Sequence, residues 1–269
     1  MLDTTHYRVA PGTTVDLSKI PADVDGGLDK DDARERFREL TDRLDELQEV
    51  MYAEGRHALL VVFQAMDAGG KDSTIRKVFG PLNPQGVRVH PFKAPTPREL
   101  AQDYLWRVHQ HTPRKGRIGV FNRSHYEDVL IVRVKNFVEE ARWRKRYDHI
   151  NDFERMLTDE GATIVKFYLH ITKAYQKERF ERRLRKPDKH WKFNPDDLKE
   201  RKRWGDYMTA FEDALSRCST DHAPWYIVPA QTRWFRDLLV AQVLVDVMES
   251  WDMKYPPIEY DPAEIRIED

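Results

Sequence analysis

Two stretches of this chain carry residue types at spacings that suit phosphate chemistry. The first is FQAMDAGGKDST, Phe63–Thr74. A turn that grips phosphate needs glycines, so that consecutive backbone N–H groups can point at the oxygens. It needs a lysine that reaches the terminal phosphates, and a helix N-terminus whose dipole favours negative charge. Gly69, Gly70, Lys71 and the helical pattern behind them supply all three, and the candidate phosphate-binding run is Ala68, Gly69, Gly70, Lys71, Asp72 and Ser73. The match to G-x-x-x-x-G-K-[ST] is incomplete. Ala65 stands in the first glycine's place and Asp72 in that of the magnesium-binding hydroxyl, with Ser73 and Thr74 one and two residues late. Asp67 lies inside the loop, where bound phosphates would repel it unless a divalent cation lay between them. It is therefore a candidate Mg²⁺ ligand, or a base for an attacking oxygen.

The second stretch is Asn122-Arg123-Ser124-His125-Tyr126-Glu127-Asp128. Arg123 could neutralise charge on a transferred group, and Glu127 or Asp128 could hold a metal or orient an acceptor. The same residues also read as a helix cap, with Ser124 at the N-cap and Glu127 three residues later completing a capping box. For His125 a structural or solvent-facing role outweighs catalysis.

These stretches need elements to position them. Ala58–Phe63 (ALLVVF) is a continuous apolar run, as in a strand buried on both faces of a parallel sheet. Similar runs fall at Val87–Pro91, Arg117–Phe121, Thr163–Leu169 and Trp225–Pro229. Helical patterns separate them at Ser73–Phe79, Pro97–His111, Glu139–Thr158, Thr172–Arg185, Pro195–Ser216 and Thr232–Trp251. Alternation of this kind predicts βαβ units: an α/β fold, a parallel sheet with helices on both faces. Both chemical stretches then sit at strand carboxyl ends, where open α/β sheets gather ligands. Asp29–Glu54 reads as an amphipathic helix through Phe37, Leu40, Leu44, Leu47 and Met51, stopped at Gly55. Residues 1–28 read as an extended arm on the surface, residues 29–269 as one domain, and the Pro-rich acidic tail after Trp251 as a surface strap.

Lys173–Arg203 holds thirteen Lys or Arg against six Asp or Glu, in a chain of net charge −1. Pro187 and Asn194-Pro195 break it into two helices and a corner, which suggests a basic lid over about 173–210. Arg179 and Arg183 share one helical face and are candidates for contacting phosphate. Trp191 and Phe193 could stack on a base or pack the lid on the core. The helix after the second strand could form an acceptor pocket, with Phe92, Lys93 and Arg107 as candidate nucleotide contacts alongside Asn122 and Glu127. The charge balance of the whole chain argues against a nucleic-acid coat. One cysteine, Cys218, excludes an internal disulfide and reads as a partly buried free thiol. With no signal-like or membrane-spanning apolar run, a cytoplasmic location is the expectation.

Taken together, the chain resembles the type-2 polyphosphate kinase family. The resemblance rests on FQAMDAGGKDST (63–74), FKAPTPRELAQDYLWR (92–107), GVFNRSHYEDVL (119–130), KHWKFNPDDLKERKRW (189–204) and APWYIVPA (223–230), in family order. It implies a three-layer P-loop kinase fold like that of thymidylate kinase, with a helical lid. It implies reversible, Mg²⁺-dependent phosphoryl transfer from inorganic polyphosphate to adenine or guanine nucleotides, with Mn²⁺ as an alternative ion. Carried over by motif, Asp67 and Lys71 belong to the phosphate loop, Asn122 and Arg123 to the second motif and Arg183 to the lid. Asn122 stands where many members have Asp, which moves the second candidate metal ligand to Asp128. This version resembles the subgroup that accepts both AMP and ADP, and the family suggests a homodimer or homotetramer. Rival readings are an ATP-dependent nucleotide kinase and a non-catalytic polyphosphate-binding module.

Overall fold

The computed structural model describes residues 2–267; Met1 of the expected arm and residues 268–269 of the tail lie outside the described residues. Asp29 caps the first helix, its carboxylate accepting from the N–H groups of Asp31 and Asp32. Helix α1 runs Lys30–Glu54 and ends at Gly55, whose left-handed φ of 68° lets its N–H close on the Met51 carbonyl. Strand β1, Ala58–Gln64, is buried at every position. Such residues each contribute roughly 1.5–3 kcal/mol when apolar and fully buried. Then follow α2 (Lys71–Phe79), β2 (Val87–Pro91), α3 (Pro97–Leu100), α4 (Trp106–His109), β3 (Arg117–Asn122), α5 (Ile131–Val134), α6 (Glu140–Asp159), β4 (Ala162–His170), α7 (Lys173–Arg185), α8 (Asp197–Lys202), α9 (Trp204–Arg217), β5 (Trp225–Pro229) and α10 (Arg233–Glu249).

The five strands form one parallel sheet in the order β2-β3-β1-β4-β5. Central β1 pairs Phe63 with Asn122 of β3, so the turn after β1 and the turn after β3 leave the sheet side by side. Neighbouring strands lie about 4.8 Å apart, so their first loop residues are within side-chain reach of one another. Helix α10 is buried along most of its length and packs on α1 and α2.

Three expected elements differ. Pro97–His111 is two single helical turns, because the Asp103 carboxylate captures the N–H groups of Leu105 and Trp106 and breaks the helical ladder. Pro195–Ser216 is two helices meeting at Arg203, whose guanidinium is bonded to the Val134 carbonyl. The N-terminal arm is not merely laid on the surface. Val9, Val15, Leu17 and Ala22 are buried, and Val9 N–H donates to the Trp225 carbonyl along the edge of β5. Residues 254–267 are exposed. Cys218 is fully buried, its thiol pushed up to about 12 by burial.

Candidate active site

The loop between β1 and α2 is held by its own backbone demands. Gly70 has φ 104°, and a Cβ there would strike the Arg236 guanidinium. A Cβ on Gly69 would lie 2.7 Å from the Ala65 Cβ and 2.8 Å from the Met66 carbonyl oxygen. Ala68 takes φ 64° without being glycine, a strained position of the kind that gathers at functional sites. Lys71 Nζ donates to the Ala65 carbonyl at 2.8 Å, folding the side chain back across the loop. Burial, then the neighbouring Arg123 charge, push the Lys71 ammonium below its ordinary value, against the pull of Asp67, Glu127 and Asp72. The displaced hydroxyls turn inward: Ser73 Oγ and Thr74 Oγ1 both donate to the Gly70 carbonyl, at 2.8 and 3.2 Å.

The turn after β3 meets this loop directly. Arg123 also has a positive φ, 61°, and its N–H donates to the Phe63 carbonyl at 3.1 Å. Its Nη2 donates to Asp67 Oδ1 at 2.9 Å, and its Nη1 lies 3.9 Å from Glu127 Oε2. Glu127, with burial opposing and Asp67 reinforcing it, raises the guanidinium above its usual range. Asn122 Nδ2 donates to Asp72 Oδ1 at 2.6 Å, so the residue in the hydroxyl's place is tied to the second motif. Ser124 is the N-cap of a short 3₁₀ turn, His125–Asp128, and accepts from the Tyr126 N–H at 3.1 Å. The capping box is not formed, because Glu127 faces Arg123 instead of the cap backbone.

Across from these groups stands the basic segment. A cavity of about 190 Å³ is lined by Asp67, Arg123 and Glu127 on one side and by Asn194, Asp197 and Tyr207 on the other. Asp197 is pushed up to about 6, first by burial and then by the charge on Asp67; Arg183 opposes the shift at 3.7 Å. Arg183 also donates to the Lys192 carbonyl at 3.0 Å, joining α7 to the corner behind it. Arg179 is half-buried over the Tyr175 ring at 6.0 Å, with Arg182, Arg183 and Arg233 crowded near it. Trp191 is 78% exposed, while Phe193 packs edge-on against Phe180 at 6.0 Å.

Other expected site residues sit elsewhere. Asp128 accepts from Arg146 Nη1 at 2.7 Å and is pushed up to about 6 by burial. It does not line the cavity that holds Asp67. Phe92 is buried, edge-on to Phe121 at 4.9 Å and under the Arg107 guanidinium at 5.2 Å. Arg107 donates to the Lys93 carbonyl at 2.8 Å and pairs with Glu99 at 3.4 Å. These three residues stabilise the loop after β2 and lie outside the cavity. His125 is completely buried against Glu154.

Two residues that sequence reasoning missed reach the phosphate loop. Gln176 of α7 is buried and donates to the Asp67 carbonyl at 2.9 Å while accepting from Arg201 Nη1 at 3.1 Å. Arg236 of α10 is buried, paired with Asp237 at 2.7 Å, and donates to Ser73 Oγ at 3.2 Å. An arginine inside the most apolar helix was a usable signal, since buried charge is rare without a task. Asp197 lies within the KHWKFNPDDLKERKRW block but has no local pattern that singles it out.

A divalent cation fits this donor set. Asp67 and Asp197 are carboxylates close enough to repel one another. Among the described residues no group of three or more His, Cys, Asp or Glu is arranged to hold a metal. The two carboxylates are hard oxygen donors of the kind Mg²⁺ takes one or two of, its remaining positions going to water and substrate phosphates.

Comparison with known proteins gives the chain its relatives. The family model described as Polyphosphate kinase 2 (PPK2) matches residues 27–256. An AMP/ADP-polyphosphate phosphotransferase from Meiothermus ruber is 53% identical over 97% of this chain and 99% of its own length. An ADP-polyphosphate phosphotransferase from Rhodopseudomonas palustris is 46% identical over 97% of this chain and 94% of its own. The crystal structure of polyphosphate kinase 2 from Arthrobacter aurescens superposes with a TM-score of 0.92 at 41% identity, covering 95% of this chain and 92% of that one. With a family match over most of its length, two relatives similar from end to end and the same fold as a solved member, the chain belongs to the polyphosphate kinase 2 family.

Proposed function

We propose that this protein moves phosphoryl groups reversibly between inorganic polyphosphate and nucleotides, and that it accepts both AMP and ADP. The observation that carries the reading is the cavity itself. Arg123 and Asp67 line it from the turns after β3 and β1 and Asp197 from the basic segment, and the charges of Lys71, Arg123 and Arg183 all act on Asp197, so cations from the phosphate loop, the second motif and the segment opposite converge at its carboxylates. The dual acceptor range follows the 53% identical relative, whose activity is named for both nucleotides.

Polyphosphate lies along α7 and the corner behind it, where Arg179, Arg182 and Arg183 crowd together, and its terminal group enters the phosphate loop. An oxygen of the AMP or ADP phosphate attacks the terminal phosphorus in line. The bond to the bridging oxygen breaks, and the polymer leaves one phosphate shorter. Lys71 and Arg123 offset charge on the transferred group, while the N–H groups of Gly69, Gly70 and the start of α2 orient it. Asp67 and Asp197 are the residues that would hold Mg²⁺, and the ion would supply further charge neutralisation to the transferred group. The segment 173–210 acts as the lid, coupled to the loop through Gln176.

The test is an incubation with Mg²⁺, AMP and polyphosphate in the absence of ATP, resolved by chromatography. Appearance of ADP and then ATP is the expected outcome. Transfer that occurs only with ATP as donor, or binding of polyphosphate without turnover, would overturn the reading.

A further inference from the structure

Behind the second motif lies a charged cluster that touches no part of the cavity. Glu154 of α6, Lys166 of β4, His125 and Tyr126 are all 0% exposed. Lys166 Nζ donates to Glu154 Oε2, to Tyr126 Oη at 2.8 Å and to the Cys218 carbonyl at 2.7 Å. Glu154 Oε1 accepts from Tyr126 Oη at 2.9 Å and from His125 Nε2 at 3.1 Å. One carboxylate therefore holds two consecutive side chains of the turn, and one ammonium holds the carboxylate. Trp225 of β5 closes the cluster, its ring 5.3 Å from Lys166 Nζ.

Burying an ion pair this deeply is a poor route to stability, because desolvation opposes the Coulombic gain and apolar residues of similar volume serve as well or better. Its position suggests a different use. His125 and Tyr126 follow Arg123 by two and three residues, and Arg123 is held in a left-handed conformation that few arginines adopt. A strained residue persists only where its surroundings over-determine it. On the near side, Ser124 Oγ fixes the Tyr126 N–H. On the far side, the only charged groups bonded to the His125 and Tyr126 side chains among the described residues are Glu154 and Lys166.

We propose that Glu154, locked by Lys166, is a positioning residue: it pins the His125–Tyr126 turn from behind and thereby holds the Arg123 guanidinium on Asp67 and the transferred group. The proposal rests on the role given to Arg123 above. Glu154 and Lys166 never meet substrate, so their effect passes through geometry. A displacement of about 1 Å in a group that orients a reaction can cost on the order of 100-fold in rate.

Two paired variants separate positioning from stability. Glu154→Leu/Lys166→Met removes both charges and the shared acceptor but keeps the volume apolar. Glu154→Gln/Lys166→Met also removes both charges but keeps an oxygen for His125 and Tyr126. The expected result is that the Leu/Met protein folds but melts lower than wild type, because the His125 Nε2, the Tyr126 hydroxyl and the Cys218 carbonyl lose their partners; assayed well below its melting temperature, it keeps its KM for AMP and loses roughly 10- to 100-fold in kcat. The Gln/Met protein should regain most of that kcat. Wild-type kcat in a folded Leu/Met protein would overturn the proposal. So would a Gln/Met protein that folds but is as slow as Leu/Met; should Leu/Met fail to fold, Gln/Met and Tyr126→Phe, which drops one of the two tethers, decide the matter by the same kcat comparison. Arg123→Ala separates the two levels: full activity there removes the site reading itself, while a dead Arg123→Ala beside an active Leu/Met variant removes only the inference about Glu154.

Discussion

Lys71 illustrates how a single side chain is prepared for a polyanion. Its ammonium is folded onto the Ala65 carbonyl, and burial with Arg123 nearby disfavours its charge. An incoming phosphate reverses that balance, which makes the lysine worth more to a charge-developing group than to the loop by itself. Lys71→Ala should therefore lower kcat by at least about 100-fold. Its melting temperature should stay close to wild type, because the ammonium supports the fold through a single hydrogen bond to a loop carbonyl. Steady-state transfer from polyphosphate and a thermal melt check both halves, and near-wild-type turnover would remove the core of the mechanism. The strained φ values of Ala68 and Arg123 fall in the same two turns, and the Arg123 guanidinium lines the cavity.

Among the elements, α7 and α8 matter most to the chemistry. Asp197, at the start of α8, is pushed up to about 6 by burial and by Asp67. Below that pH it is protonated and cannot balance a cation; above it, the carboxylate is charged. The half-saturating Mg²⁺ concentration should accordingly climb as pH falls through about 6. Substrate phosphates titrate in the same region, so the control is Asp197→Asn, which should bind Mg²⁺ more weakly at about pH 8 and lose the extra pH dependence that wild type shows. An unchanged profile in that variant would assign the titration to substrate alone. Gln176 of α7 links α8, through Arg201, to the phosphate loop. Gln176→Ala leaves the Asp67 carbonyl without its donor and Arg201 with only its bond to the Lys173 carbonyl, for an expected loss of about 1–3 kcal/mol in stability. The KM for polyphosphate should rise more than that for AMP, as measured by varying each substrate in turn.

For the molecule as a whole, the N-terminal arm closes one edge of the sheet. On the β5 side the arm supplies a backbone partner through Val9, buries Val15 and Leu17, and brings the Ile20 carbonyl to His170 Nε2 at 3.0 Å. Deleting residues 1–18 should expose that edge and lose several kcal/mol, at about 1.5–3 kcal/mol for each buried Val or Leu side chain. The expected signs are a lowered denaturant midpoint and concentration-dependent light scattering. A truncated protein as stable and as monodisperse as the full chain would show the arm to be dispensable.

The order of strands and helices, the parallel sheet and the two phosphate-facing turns were legible in the chain because each depends on local pattern: apolar runs for buried strands, glycines and a lysine for the loop, a basic run for the segment opposite. The breaks at Asp103 and Arg203 were not, since a side chain that captures backbone groups overrides helical periodicity. Nor could the sequence say which acid faces Asp67. Asp128 ends the second motif, but the 3₁₀ turn places it on Arg146, and Asp197, some seventy residues further along the chain, lines the cavity instead. Gln176 and Arg236 likewise reach the loop only because α7 and α10 fold back over it. Local spacing determines what a turn can grip; long-range packing decides which charges surround it, because side chains distant in sequence become neighbours only when the helices that carry them are laid on the sheet.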